Sequence, residues 1–138
     1  MKTAGIICEF NPLHRGHIYL MEQWRSSVGE ETAVICVMSG NYVQRGEPAL
    51  LRKHARAEAA VRSGADLVLE LPTAWALSSA EGFARAGVSL LTATGVTDTL
   101  LFGSECGELS SLQLLAQTLE EINGNDFRRQ MYSSGEHY

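Results

Sequence analysis

The chain has little cysteine, and none of it at metal-binding or redox spacing. Cys8, Cys36 and Cys106 are the only three, the count is odd, and no C-x-x-C occurs. That speaks against a disulfide framework and against a structural zinc site, and it fits a reducing cytosol. Cys8 and Cys36 sit inside apolar runs, where a free thiol acts as a small core residue. No apolar stretch reaches the roughly 18 residues that a bilayer span needs. Met1-Lys2-Thr3-Ala4 runs straight into a strand-like segment without the layout of a signal peptide. A cytoplasmic protein with no membrane partner is therefore expected. Basic charge is also short: 11 Lys and Arg face 16 Asp and Glu, for a net charge of −5. Long-range steering toward polyanions is not favoured, so any nucleic-acid contact needs a local basic patch or another part of a larger assembly. The chain contains neither G-x-G-x-x-G nor G-x-x-x-x-G-K-[ST], so the common dinucleotide and P-loop readings lack support. There is no internal repeat and no low-complexity tract.

What is present is an ordinary globular composition, 45% hydrophobic and 20% charged over 138 residues, long enough for one domain with its own core. Strand-like and helix-like segments alternate. Strands are expected at 3–8, 32–38, 65–71 and 97–102. Helices are expected at 16–27, 49–63 and 78–92, with a last one that begins near Leu109 and ends near Gly124. The run 32–38, TAVICVM, is nearly all apolar, as a strand buried on both faces should be. Gly64 is expected to cap the second helix, and Pro72 to stop the third strand. Leu109, Leu112, Leu115, Ala116 and Leu119 form an apolar stripe. The alternation predicts an α/β fold: a Rossmann-like parallel sheet with right-handed crossovers and helices on both faces. Residues 1–124 are expected to be the folded domain. The polar stretch 125–138 reads as the start of a further C-terminal region.

The most informative segment is Glu9 to His17. An apolar strand ends there, Asn11 and Pro12 break it, and His14 and His17 follow, three residues apart, where a helix should begin. Residues three apart on a helix share a face. Two imidazoles beside free backbone N–H groups at a helix N-terminus suit a phosphate. Ligands of open parallel sheets bind beyond the carboxyl ends of the strands, where strand order reverses, and the first strand is expected at the centre. The pattern H-x-G-H suits nucleotidyl transfer. Imidazole donors around an α-phosphate would stabilise the spread charge of the transition state more than the ground state. Gly16 removes a side chain where a base or phosphate must approach the backbone.

H-x-G-H after a first strand resembles the HIGH-motif nucleotidyltransferase superfamily. A longer set of blocks is narrower: 9–17 (EFNPLHRGH), 37–48 (VMSGNYVQRGEP), 66–72 (DLVLELP) and 102–105 (FGSE). In order and spacing these resemble the bacterial tRNA(Met) cytidine acetate ligases. The resemblance implies that ATP and acetate give acetyl-adenylate and pyrophosphate, and that acetyl then passes to N4 of the wobble cytidine of elongator tRNA(Met). It implies an ATP-binding stretch at Ile7, Cys8, Glu9, Phe10, Asn11, Pro12, Leu13, His14, Arg15, Gly16, His17, Ile18, Tyr19 and Leu20, with a further contact at Gly103. His14 and His17 become the catalytic residues. Members of that family are much longer, and much of their tRNA-binding surface is expected downstream of residue 138.

Other groups are read with less specificity. Arg45, Arg52, Lys53, Arg56 and Arg62 form a local basic cluster with His54 among them. Gln44, Arg45 and Lys53 are assigned to phosphate or RNA contacts, whereas Arg52, Arg56 and Arg62 read as a solvated helix face paired with Glu47 and Glu58. Glu9, Glu70 and Glu105 lie near strand ends, where a carboxylate can orient a histidine or hold Mg²⁺ through water. Glu70, between two leucines, needs a partner. Asp66 reads as a turn residue, and Trp24 and Trp75 as core or interface aromatics. His54 and His137 have no evident partner. Mg²⁺ is expected with the nucleotide and no metal is assigned to protein ligands. Oligomeric state is not legible. Two alternatives remain: a small adenylyltransferase acting on a phosphorylated cofactor precursor, and a nucleotide-binding fragment without turnover. The first normally carries a late basic motif with Ser or Thr, and only Arg128 and Arg129 stand there.

Overall fold

The computed structural model describes residues 1–29, 31–104 and 107–123. Glu105, Cys106, Arg128, Arg129, His137 and the 125–138 stretch lie outside the described residues. Two compact units divide the chain, Met1–Phe102 and Gly103–Tyr138.

In the first unit, β1 (Lys2–Cys8), β2 (Thr32–Ser39), β3 (Leu67–Leu71) and β4 (Thr99–Leu101) form one sheet in the order β3-β2-β1-β4. Every pairing is parallel: Ile6 lies beside Cys36 on one side and Leu101 on the other, and Val37 lies beside Leu69. Helices α1 (Arg15–Val28), α2 (Lys53–Arg62), α3 (Thr73–Ala76) and α4 (Ala80–Ala93) complete this unit. The expected α/β class and helix-covered parallel sheet are thus present.

Alternation along β2 explains the layers. Val34, Cys36 and Met38 join Ala4, Ile6, Phe10, Met21, Trp24 and Ala60 in one core, which brings α1 and α2 onto that face. Ile35 and Val37 point the other way and meet Leu71, Ala76, Phe83, Ala86 and Leu91, which brings α3 and α4 onto the opposite face. Trp24 is therefore core, as expected, but Trp75 is half exposed, 48%. Cys8 and Cys36 are buried free thiols. Burial, and then the neighbouring Cys36, push the Cys8 thiol far up, so it stays protonated.

Helix α4 comes close to β1 because each element offers a glycine. A Cβ on Gly87 would stand 2.7 Å from the Ile7 side chain, and one on Gly5 would stand 2.5 Å from Leu91.

Three departures from expectation bear on the site. Helix α2 begins at Lys53 rather than Ala49, because bonds to other loops hold the first of these residues out of the helix: Ala49 N–H donates to Asn41 O (2.9 Å) and Leu50 N–H to Asn11 Oδ1 (2.7 Å). The short α3 was not foreseen; Pro72 ends the strand but serves as the N-cap of the next turn. Strand β4 is only three residues long, with Asp98 taken by Thr3, whose N–H donates to Asp98 Oδ2 at 2.9 Å. Gly64, at φ +116, follows the C-cap of α2 as expected. In the second unit α5 (Leu109–Asn123) is helical, and Leu109, Leu115 and Leu119 of its stripe are exposed.

Gly87→Val should drive branched carbons into Ile7 and lower stability by about 1–3 kcal/mol. Because the two sites touch, Gly87→Val with Ile7→Ala should cost less than the sum of the single changes. Urea melts of the three variants measure both, and strict additivity would show that the close approach is not what Gly87 provides.

Candidate nucleotide-binding site

Strand order reverses at β1, which has β2 on one side and β4 on the other. The carboxyl end of β1 therefore opens at the position where parallel sheets bind ligands. The chain leaves it through Glu9 and turns at Phe10, a non-glycine residue at φ +46, and at a cis Asn11-Pro12 bond. Phe10 is nonetheless buried, and its ring stands edge-on to His17 with centroids 4.9 Å apart. An aromatic anchor thus holds the turn against the start of α1.

His14 is the N-cap of α1 rather than a residue within it, and His17 is the third helical residue. The two form a reciprocal capping box. Gly16 N–H donates to His14 Nδ1 at 3.1 Å, and His14 N–H donates to His17 Nδ1 at 3.2 Å. Fewer free backbone N–H groups remain than the sequence suggested, since the imidazoles themselves take two of them. In exchange, chemistry is gained at the far side of each ring. A ring nitrogen that accepts carries no proton, so the neutral imidazole bears its proton on Nε2. The rings stack with centroids 3.7 Å apart and planes 27° from parallel, so the helix cap presents two Nε2–H donors side by side. His17 is held below the usual imidazole pKa of 6.5, first by burial and then by His14; the positive end of the helix acts in the same direction. Two neutral donors at a helix N-terminus can receive phosphate oxygens.

Gly16 also has a local reason inside the cap. A Cβ there would meet His14 Cε1 at 3.1 Å and Nδ1 at 3.2 Å. The missing side chain makes room for the capping imidazole.

Of the remaining residues in the 7–20 stretch, Cys8, Phe10, Leu13 and Leu20 turn toward the core of α1, and Ile7 toward that of α4. Pro12, Arg15 and Tyr19 are exposed, and Ile18 is half-buried. Gly103 lies in the second unit.

The loop after β2 is stitched to this segment. Gln44 N–H donates to Glu9 Oε1 at 3.1 Å, and Val43 N–H to Glu47 O at 3.0 Å. Arg45, exposed, occupies φ +73, a region that costs a side chain energy. Glu9 therefore holds a loop rather than a histidine.

Arg56 overturns the solvated-face expectation. It is 1% exposed. Its Nε donates to Leu51 O at 3.1 Å, Nη2 to Ser39 O at 3.0 Å and also to Gly40 O, and Nη1 to Glu9 O. The carbonyls at the ends of β1 and β2 had no signal in the sequence, and only the fold brings them to one point. Arg62, by contrast, pairs with Glu58 on the surface at 2.7 Å, as expected, and Arg52 is exposed. Lys53 Nζ is engaged by Glu70 at 2.7 Å, which supplies the partner Glu70 required. Asp66 is more than a turn residue: it accepts from Val34 N–H and from Arg25, both at 2.7 Å. An apolar groove of about 380 Å³ beside Trp75 shares no residue with the histidine loop.

A parallel sheet whose central strand feeds two histidines into the cap of the next helix is the architecture of a HIGH-motif nucleotidyltransferase. The model of the HIGH Nucleotidyl Transferase family matches residues 1–138, and the chain belongs to that family. Within it, the chain is 53% identical over 121 residues to the tRNA(Met) cytidine acetate ligase of Syntrophotalea carbinolica, and 48% identical over 121 residues to that of Acetivibrio thermocellus. These alignments cover 88% of this chain but 28% and 29% of those proteins. Among solved structures, Thermotoga maritima TmcAL bound with alpha-thio ATP matches with a TM-score of 0.79 and 48% identity, over 88% of this chain and 29% of that one. The apo form of the same protein matches with a TM-score of 0.83 and 43% identity, over 98% and 32%. The chain thus spans about three tenths of the length of the relatives it resembles.

The depressed pKa of His17 has a consequence for stability. The unfolded histidine takes up its proton near pH 6.5, the folded one only at lower pH. His17 thus contributes stability that is fully present above about pH 6.5 and is lost as pH falls through the folded value. Denaturant melts from pH 8 to 5 should show this slope in the unmutated protein and a shallower one in His17→Gln, which keeps an acceptor at the same helical position. Equal slopes would show that no proton is linked to folding at His17.

Proposed function

We propose that this chain is the nucleotide-binding wall of an ATP-dependent ligase that activates acetate and acetylates tRNA. The observation that carries the reading is the pair of stacked imidazoles in the α1 cap, each with its Nε2–H turned away from the helix it caps. Support for the nucleotide comes from the similar T. maritima protein, solved with alpha-thio ATP. Support for acetate and tRNA(Met) comes from the names of the similar ligases.

In this reading His14 and His17 donate to oxygens of the α- and β-phosphates. An acetate oxygen attacks the α-phosphorus, the bond to the bridging oxygen breaks, and pyrophosphate leaves with that electron pair. Negative charge grows on the equatorial oxygens and on the leaving group, which the Nε2–H donors stabilise. The amino group N4 of the wobble cytidine then attacks the acetyl carbonyl, and AMP departs. Backbone groups of 7–20 cradle the nucleotide. Gln44 and Arg45, on a loop that Glu9 holds, face phosphate or RNA. Mg²⁺ bound with the nucleotide would offset phosphate charge; the carboxylates nearest in the sequence reading are engaged, Glu9 by Gln44 N–H and Glu70 by Lys53. The tRNA(Met) surface belongs mostly to the part of the relatives' length that this chain does not span, and a tRNA substrate agrees with a cytoplasmic setting. No described helix is long and apolar enough to cross a membrane.

Two measurements test this reading. The protein extended to the length of its relatives, given ATP, acetate, Mg²⁺ and labelled pyrophosphate, should exchange label into ATP. ATP binding without exchange would sink the adenylation step. His14→Asn keeps a capping oxygen for Gly16 N–H and removes the Nε2–H donor. It should change stability by less than about 0.5 kcal/mol and weaken ATP binding about tenfold. An unchanged affinity would place His14 outside the site.

A further inference from the structure

We propose that Arg56, which contacts no ligand itself, is a positioning residue of the nucleotide site. Its buried guanidinium holds the histidine loop and the loop after β2 as one rigid wall and sets a fixed positive charge behind it. The inference rests on the nucleotide reading above.

Three facts carry it. First, the four acceptors come from three separate places: Glu9 O beyond β1, Ser39 O and Gly40 O at the end of β2, and Leu51 O ahead of α2. A rigid fork can fix three segments at once, which an ammonium cannot. Second, all four acceptors are neutral carbonyls. The ion pairs among the described residues are Arg25–Asp66, Lys53–Glu70 and Arg62–Glu58. Arg56 is thus a buried cation without a bonded carboxylate; burial holds its pKa below that of a free guanidinium, although Glu9 and Glu70 lie near enough to favour its charge. Burying a charge is costly, and a neutral donor would cost less if bracing were all that was needed. A cation kept there sets a fixed positive charge behind the ligand side of the sheet, where a polyphosphate would need it. Third, in a planar trans peptide the N–H points opposite to the C=O. With the Glu9 and Gly40 oxygens on Arg56, the N–H groups of Phe10 and Asn41 are turned away from it, and each is a stronger donor for the polarised carbonyl it shares a peptide with.

The test uses ring-nitrogen NMR on His14 and His17 together with ATP titration. Arg56→Lys keeps the charge and loses the fork. It should shift the Nδ1 and Nε2 resonances of both rings without nucleotide present, and weaken ATP binding at least about tenfold, with core amide protection in β2 retained. In the unmutated protein, the Arg56 Nε–H resonance should move on saturation with ATP, a readout that does not depend on any variant folding. Wild-type ring shifts and wild-type ATP affinity in Arg56→Lys would overturn the proposal. So would an Arg56 resonance unmoved at saturation. If the unmutated protein binds no ATP, the nucleotide reading falls, while the ring shifts of Arg56→Lys still decide whether Arg56 positions the histidines.

Discussion

The ligand side of this sheet depends on one guanidinium. Strands β1 and β2 are held along their length by a parallel ladder, but that ladder stops at the pair Cys8 and Met38. Beyond it the backbone carbonyls need other partners, and Arg56 supplies them for Glu9, Ser39 and Gly40 together. The same residue takes Leu51 O, so the entry into α2 is tied to the same point. Asn11 and Glu9 extend the stitching outward, by accepting from Leu50 and Gln44. A set of loops that would otherwise be independent becomes one surface, and the histidines sit on it.

The histidines serve the fold and the chemistry through one arrangement. A helix must satisfy its first N–H groups, and side-chain acceptors are the usual solution. Using imidazoles as the acceptors fixes which nitrogen carries the proton and aims that proton outward. A serine at the cap would start the helix equally well and leave no second donor. Gly16 belongs to the same arrangement, since the ring that caps the helix lies over it. The burial that lowers the pKa of His17 also keeps it in the neutral form that the cap requires.

Several features were legible in the chain because they depend on near neighbours. The nearly all-apolar 32–38 run announced a strand buried on both faces, and Asn11-Pro12 announced the break before α1. The pairing of Arg62 with Glu58 followed from their spacing of four. Arg56 was misread for a related reason. On a helix rich in Arg, Glu and Ala it has the same local signature as Arg52 and Arg62, and helical position alone does not distinguish a cation that meets water from one that meets three loop ends. The late start of α2 was hidden likewise, because Leu50 N–H is satisfied by Asn11, 39 residues away.

The sequence by itself determined the alternation of strands and helices, the two faces of β2 and the presence of two histidines at a helix start. All of these rest on periodicities of a few residues and on the short reach of a cap. The tertiary structure alone decided which cation is buried and which carboxylate holds which loop. These are contacts between residues tens of positions apart, and their partners are mostly backbone carbonyls and amides, which every residue carries and no residue type advertises.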